Sequence, residues 1–458
     1  MGAKQWIYTA GVLYYTVLEI RTDFRKERQE DVMERNDPRY QAYVEILKEE
    51  LIPAMGCTEP IALAYAAAKA REVLGVLPDS VQLQVSGSII KNVKSVIVPN
   101  TGHLKGMEAA VAAGIIAGSA EKELEVISEV SEEKKSAIRD YLQTVPITIE
   151  HTEQGHVFDI VVTERCGQDY ARVRIADYHT NICRIEKNGT VLYEVPLLDE
   201  TVQEDARADR SLLNMQDIWD FAETADLRDV ADLLERQIRY NNAIAEEGLL
   251  GDYGANIGRV LLTTYGNDVS NRAKAKAAAG SDARMNGCEL PVIINSGSGN
   301  QGITCSVPLI EYAKELHSGK EKLYRALIIS NLVAIHEKTG IGTLSAYCGA
   351  VSAGAGAGAG IVYLCGDGYQ AAIHTVVNAL AIVSGIVCDG AKASCAAKIA
   401  SSVDAALLGY NMYKCNQEFK GGDGIVMKDI ETTIKGIGRL GKDGMRQTNE
   451  EIIRLMMS

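Results

Sequence analysis

Three cysteines in the C-terminal third of the chain could hold an inorganic cluster. Cys388 and Cys395 lie in "CDGAKASC", seven residues apart, and Cys348 precedes a Gly/Ala tract whose small side chains leave room for a bulky group. On an unbroken helix the Cα atoms of Cys388 and Cys395 would be roughly 10.5 Å apart. Asp389 and Gly390 can end one helix and let the next begin before Cys395, which shortens this distance. Three thiolates on a [4Fe–4S] cluster leave one iron that can act as a Lewis acid.

The same cysteines could instead be buried packing residues, because a free cysteine behaves as a small hydrophobic side chain. Their spacing leaves both interpretations open. It disfavours zinc, since no C-x-x-C pair and no histidine at ligand spacing accompanies them. Lys392, between two of them, could pair with a carboxylate or be solvated. We interpret the remaining cysteines outside the candidate sites as packing residues: Cys166, Cys183, Cys288, Cys305, Cys365 and Cys415.

Two further residues are candidates for proton transfer. Cys57 in "GCTEP" lies at the start of a predicted helix, where the helix dipole and free N–H groups lower a thiol pKa. A thiolate there is a plausible base or nucleophile, and the alternative is a buried cysteine before a helix cap. His179 in "DYHTNI" lies at a predicted strand end, from which it could reach a site between domains. The alternative for His179 is a surface or structural role.

The stretch "NSGSGNQG" has the spacing G-x-G-x-x-G after an apolar run. A dinucleotide site also needs a second strand that ends in an acidic residue about 20 positions later. The following segment, "ITCSVPLIEYAKELHSGKEK", contains a proline and then a helical, charged pattern, so the dinucleotide interpretation fails. A glycine-rich turn that opens a helix still offers N–H groups to an anion. We therefore predict a substrate carboxylate site at Ser296, Gly297, Ser298, Gly299 and Asn300.

The elements that must position these residues indicate an α+β protein. Residues 33–76 have helical periodicity and carry the GCTEP motif. Residues 77–205 alternate in the manner of strands, with "KNGT" as a hairpin turn, and predict a small α+β domain with an antiparallel sheet. Residues 206–458 predict a mainly α-helical catalytic domain, in which the Gly/Ala tract forms a buried helix. Residues 1–32 are expected to be a leader or extension outside the core.

Composition limits the partners. The formal net charge of −14 disfavours nucleic acid and anionic membranes, which require clustered Lys and Arg, but it permits an anionic metabolite. The N-terminal apolar stretch is too short to span a bilayer. We expect a cytoplasmic protein that acts on a small molecule. The sequence is compatible with a homo-oligomer.

Four segments, taken in order, resemble the L-cysteine desulfidase family, which is related to the α-chain of iron–sulfur L-serine dehydratases. They are "GCTEPIALAYAAAKAREVLG", "NSGSGNQGITCSVP", "LSAYCGAVSAGAGAGAG" and "CDGAKASC". The resemblance implies an oxygen-sensitive [4Fe–4S] cluster on Cys348, Cys388 and Cys395, a catalytic role for Cys57, and no need for pyridoxal phosphate. Some of those dehydratases place a cysteine at the extreme C-terminus, whereas this chain ends "IIRLMMS".

The resemblance implies α,β-elimination of L-cysteine to sulfide, ammonia and pyruvate. The nearest rival is L-serine dehydratase, because one atom separates the two substrates. A rival of another class is a non-catalytic iron–sulfur redox sensor, which would need neither the glycine loop nor Cys57. Sulfide release from cysteine by the anaerobic protein discriminates among the three.

Overall fold

The computed structural model describes residues 33–152, 156–197, 208–342 and 344–457. It confirms the α+β class, with one six-stranded sheet and a mainly helical body. The predicted leader, residues 1–32, and the predicted boundary at 205/206 lie outside the described residues.

The first part of the chain forms helices that pack against the sheet. The alternating residues Val81, Leu83 and Val85 are buried, as a strand with one face on a core requires. The helix predicted at GCTEP packs on two strands of the sheet. The elements are α1 (Pro38–Glu50), β1 (Pro53–Met55), α2 (Thr58–Leu74), β2 (Ser80–Ser86), α3 (Gly87–Val93), α4 (Gly106–Ala117), α5 (Glu132–Thr144), β3 (Ile147–Thr152), β4 (Asp159–Cys166), β5 (Asp169–Ala176), β6 (Ile182–Lys187) and β7 (Thr190–Glu194).

The sheet differs from the prediction in one pairing. Its strand order is β3-β2-β4-β5-β6-β7, and every neighbouring pair is antiparallel except β2 and β3, which are parallel. Helices α3, α4 and α5 lie between β2 and β3 in sequence, which supplies the long crossover that parallel strands require. The predicted hairpin turn is present, with Asn188 and Gly189 both at positive φ between β6 and β7.

The described residues from 208 onward form helices and one three-residue strand, as their periodicity indicates. Strand β8 (Pro291–Ile293) pairs antiparallel with β1 and so joins this body to the N-terminal part. The helices are α6 (Met215–Thr224), α7 (Ala231–Leu250), α8 (Ile257–Tyr265), α9 (Val269–Met285), α10 (Gly299–Glu315), α11 (Lys320–Ile341), α12 (Gly349–Cys365), α13 (Tyr369–Val383), α14 (Cys395–Lys414), α15 (Ile430–Arg439) and α16 (Arg446–Met457).

The Gly/Ala tract is the buried helix that the sequence predicts, α12. Its glycines face helices α11 and α14 alternately. A Cβ at Gly356 would lie 2.4 Å from the Ser330 carbonyl oxygen of α11, and one at Gly354 would lie 2.8 Å from backbone atoms of Ser402 in α14. The alternation therefore lets two helices approach α12 at backbone distance.

The interpretation of the remaining cysteines is correct in part. Cys183, Cys288 and Cys305 are buried, and Cys166 is half-buried. Cys365 and Cys415 are exposed, so the packing interpretation is wrong for them; each lies at the C-terminal end of a helix, α12 or α14, where the chain reaches the surface. Throughout the described ranges, no helix is both long and apolar enough to span a membrane.

Candidate functional site

Four helices begin at one pocket. Cys57 is the N-cap of α2, Ser298 of α10 and Cys348 of α12, while Cys395 is the first residue of α14. None of these four starts has a side chain that accepts a hydrogen bond from its first N–H groups. The pocket is lined by residues from all four starts and by His179, so it brings every sequence-predicted site segment together. Open helix starts favour anions through free N–H groups and the helix dipole.

Backbone pairing places two of the three cluster candidates on one face. Tyr347 and Val387 form an isolated antiparallel bridge, in which the Cys348 N–H donates to the Ile386 carbonyl at 3.1 Å and the Cys388 N–H donates to the Ala346 carbonyl at 2.6 Å. Cys348 and Cys388 are thus diagonal neighbours, and such side chains lie on the same face roughly 7–8 Å apart.

The third cysteine follows a non-helical segment between two helices, but the first helix ends earlier than the sequence predicts. Helix α13 ends at Val383, before Cys388, and the segment 384–394 is not helical. Gly390 has φ +92°, and a Cβ there would lie 2.0 Å from the Lys91 carbonyl oxygen. A residue without a side chain is therefore required where this loop turns towards Cys395. Lys392 pairs with Asp389 at 2.5 Å, which is the first of the two roles that the sequence leaves open.

Three cysteine thiols that line one pocket are the type of donor set that an iron–sulfur cluster binds. Within the described part of the chain, no group of three or more His, Cys, Asp or Glu side chains is close enough to hold one metal ion. Burial raises the pKa of Cys348 to about 12, helped by the neighbouring Cys388. Metal binding would displace these protons.

Positive charges surround the three thiols. Five cationic side chains interact electrostatically with at least one of the sulfurs, and they come from α3, α9, α11, the loop 384–394 and α14: Lys91, Arg284, Lys338, Lys392 and Lys398. Their charge, together with the helix starts, favours an anionic cluster at this position.

Cys57 belongs to a buried hydrogen-bond group that also lines the pocket. Its thiol donates to the Glu59 carboxylate at 3.0 Å, and Asn92 donates to the other Glu59 oxygen at 3.0 Å. His179 Nε2 lies 4.0 Å from Glu59 Oε1, and its ring meets Phe158 edge to face. The loop between β5 and β6 therefore carries His179 into the site, as the sequence suggests.

The expected low thiol pKa of Cys57 is not found. Burial raises the pKa of this thiol well above its ordinary value, and the negative charge of Glu59 raises it further. The positive charge of Arg284 acts in the opposite direction but does not outweigh them. Glu59 itself stays ionised: although burial acts to raise its pKa, His179 and the Cys57 thiol lower it to about 2. At rest, Cys57 is a thiol that donates to a carboxylate.

The glycine loop is a tight turn followed by the open start of α10. Ser296 and Gly297 both have positive φ, and Asn295 and Ser298 exchange backbone hydrogen bonds across them at 3.0 and 3.1 Å. Gly302 lies against β8, where a Cβ would be 1.9 Å from the Ile293 carbonyl oxygen. Strand β8 pairs only with β1 in the described sheet, so no dinucleotide-binding βαβ unit is present among the described residues.

Several pocket residues escape the sequence analysis, among them Glu59 and Arg284. Glu59 lies within the GCTEP motif, but nothing in the motif indicates its contact with Cys57. Arg284, at the end of α9, has no motif around it, yet it is 2% exposed and lines the pocket. A Cβ at Gly299 would lie 2.3 Å from Arg284 Nε, so this glycine makes room for the guanidinium.

Comparison with known proteins places the chain among serine dehydratase-like proteins. The family model for the serine dehydratase alpha chain matches residues 121–454. A UPF0597 protein of Desulfitobacterium hafniense is 61% identical over 93% of this chain and 99% of its own length. UPF0597 proteins of Lachnoclostridium phytofermentans and Treponema denticola are 52% and 46% identical, over 92% and 93% of this chain and the full length of each relative.

Proposed function

The chain belongs to the serine dehydratase alpha chain family, and from this premise we propose that it is an iron–sulfur-dependent L-cysteine desulfidase. The overall reaction converts L-cysteine and water to pyruvate, ammonia and sulfide. The observation that carries the proposal is the single pocket that Cys57, Cys348, Cys388 and Cys395 line together with the open start of α10. The choice of cysteine as substrate rests on the resemblance of the four sequence segments.

In this proposal the three cysteines hold a [4Fe–4S] cluster. When bound, the cluster supplies a Lewis-acidic iron without a protein thiolate. Lys338 and Lys398 balance the charge of the thiolates, and the Gly390 turn packs closely against the Lys91 backbone of α3.

The protein's own groups orient the amino acid and move its α-proton. The N–H groups at the start of α10, with Ser296, Gly297, Ser298, Gly299 and Asn300, face the carboxylate. Cys57 acts as the base at the α-carbon once its thiol is ionised; in the resting protein this thiol donates to ionised Glu59, 3.0 Å from the sulfur. His179 lies beside Glu59 and is the next candidate for the base. Loss of the β-thiol leaves aminoacrylate, which hydrolyses to pyruvate and ammonia.

L-Serine dehydration is the second candidate, since the family match favours it directly. A β-hydroxyl would then leave as water, and the same residues would have the same roles. The site would still require the cluster and Cys57.

One assay separates these candidates. Protein purified without oxygen is given L-cysteine and L-serine in parallel, and sulfide, ammonia and pyruvate are measured. Sulfide and pyruvate in equal amounts from cysteine, with a lower kcat/KM for serine, support the desulfidase. A higher kcat/KM for serine assigns the dehydratase, and turnover of neither substrate by iron-replete protein contradicts the proposed function.

A further inference from the structure

Arg284 presents an unused hydrogen-bonding edge in the pocket. Its Nη1 donates to Asn300 Oδ1 at 3.2 Å, whereas its Nε and Nη2 atoms are buried and have no partner in the described ranges. Nε and Nη2 form the edge with which an arginine grips both oxygens of a carboxylate. Arg174 uses these two atoms in this way, donating to Asp159 at 2.9 and 2.7 Å.

A buried charge without a partner is costly, so its retention points to a ligand. Within the described residues no carboxylate forms an ion pair with Arg284, and only 2% of its surface is exposed. Glu59 is close enough to interact electrostatically, but its two oxygens already accept from Cys57 and Asn92. The guanidinium therefore has both the geometry and the unmet charge to bind an anion that enters the pocket.

The open start of α10 lies beside this edge. Asn300, which holds Nη1, is the second residue of α10, and Gly299, the first, is the residue that makes room for Nε. Two independent features, a helix start without a cap and an unpaired arginine edge, thus meet at the same position. Both favour a group with one negative charge and two oxygens in a plane.

We propose that Arg284 binds the α-carboxylate of the substrate and confines the enzyme to free α-amino acids. This inference rests on the proposed function, because it takes an amino acid as the substrate. Esters and amides of the same amino acid lack the second anionic oxygen and would leave the guanidinium unpaired. Asn300 is a positioning residue, since it fixes the guanidinium through Nη1 and leaves Nε and Nη2 without a partner in the described ranges.

The decisive experiment compares L-cysteine with L-cysteine methyl ester. Wild-type enzyme should favour the acid in kcat/KM. Arg284→Gln should lose roughly 10²-fold in kcat/KM for the acid, mainly through KM, as expected when two charge-assisted hydrogen bonds are lost. Its kcat/KM for the ester should change little, so the selectivity ratio collapses, and Arg284→Lys should restore part of it. Equal losses for acid and ester, or an unchanged ratio, would overturn the inference.

Arg236→Gln is the matched control. Arg236, in α7, also has a buried Nε without a partner in the described part of the molecule, but it does not line the pocket. This variant should keep the acid-to-ester ratio. A change as large as that of Arg284→Gln would show that loss of any buried arginine has this effect, which contradicts a specific role for Arg284.

A binding measurement separates this inference from the proposed function. L-Alanine and L-alaninamide, which have no leaving group, are tested for protection of Cys57 from iodoacetamide under anaerobic conditions. Protection by alanine but not by the amide, lost in Arg284→Gln, supports carboxylate binding even if neither cysteine nor serine is turned over. Equal protection by both compounds overturns it even if sulfide is released.

Discussion

Helices begin in two ways in this protein. Away from the pocket, several helix starts are closed, which means that the side chain of the N-cap residue accepts a hydrogen bond from an N–H group of the first turn. At the pocket, α2, α10, α12 and α14 start with no such cap. The capping residues of the closed starts, on α1, α5, α6, α9 and α15, are Asp37, Ser131, Asn214, Asp268 and Asp429.

The difference separates helix ends that stabilise the fold from ends that are left for a ligand. A helix that caps itself has used its free N–H groups, whereas an open end can give them to an anion. Other described helices, such as α7, also lack a side-chain cap, so an open start alone is no sign of function. What distinguishes the pocket is that four open starts converge, largely out of contact with water.

The largest expected effect is on iron binding. Cys348→Ala, Cys388→Ala and Cys395→Ala should each abolish or strongly deplete bound iron and the brown colour, because each removes one of three ligands. Iron content and visible absorbance are measured on anaerobically purified protein. Cys415→Ala, at an exposed cysteine, is the control and should retain both. Full iron in any of the three variants removes that residue from the ligand set.

The helix start at Cys57 should matter for turnover and not for iron. Cys57→Ala should keep near-normal iron and lose roughly 10²–10⁴-fold in kcat, the range typical of a general base. Cys57→Ser should do little better, since a hydroxyl is a far weaker acid than a thiol and loses its proton less readily. Deuterium exchange at the substrate α-carbon is the measurement. Exchange at the wild-type rate in the Ala variant would show that another residue, with His179 tested first, is the base.

A substitution that caps the start of α10 tests the comparison between capped and uncapped helix starts directly. Ser298→Asp would cap the helix in the manner of Asp268 and place a carboxylate where the substrate carboxylate is proposed. We expect KM to rise by roughly 10²-fold from like-charge repulsion, with iron content unchanged. Ser298→Ala leaves the start open and uncharged, so its KM should stay near that of the wild type. Equal KM values for the two variants would contradict an anion site here.

The Glu59 carboxylate should shift the titration of Cys57. Because the charge of Glu59 adds to burial in raising the pKa of this thiol, Glu59→Gln should lower it. More thiolate is then present at a given pH, and the profile of alkylation rate against pH moves to lower pH. Mass spectrometry after iodoacetamide treatment follows Cys57 separately, with exposed Cys365 as an internal reference. A shift to higher pH, or none, would mean that Glu59 does not control this thiol.

The smallest effect is expected at a closed start. Asp268 accepts from the Ser270 and Asn271 N–H groups at 3.0 and 3.2 Å, so Asp268→Ala should cost about 1 kcal/mol of stability. A lower Tm with unchanged kcat and KM would show that this end serves the fold alone. A change in KM would mean that the end of α9 carrying Arg284 depends on its beginning.

The sequence predicts features that depend on nearby residues. Alternation at Val81, Leu83 and Val85, the turn at Asn188 and Gly189, and the burial of the Gly/Ala helix all follow from local periodicity and backbone preference, and the structure confirms them. The sequence also groups the three candidate cluster cysteines, because small residues and a predicted helix break lie beside them.

Features that depend on distant neighbours could not be predicted. Arg284 lies in an ordinary helical segment, and only the fold places its guanidinium beside Gly299. The pKa of Cys57 was expected to fall because the helix dipole is visible in the sequence, while its burial and its contact with Glu59 are not. The parallel pairing of β2 with β3 likewise depends on how three intervening helices cross the sheet.

The bridge between Tyr347 and Val387 bears on what loss of the proposed cluster would do to the fold. Backbone hydrogen bonds on either side of this bridge hold Cys348 and Cys388 on one face. Loss of a bound cluster should therefore leave a folded chain whose thiols keep their places. We expect oxidised enzyme to be repairable by reduction and a supply of iron and sulfide, without new synthesis or refolding of the polypeptide.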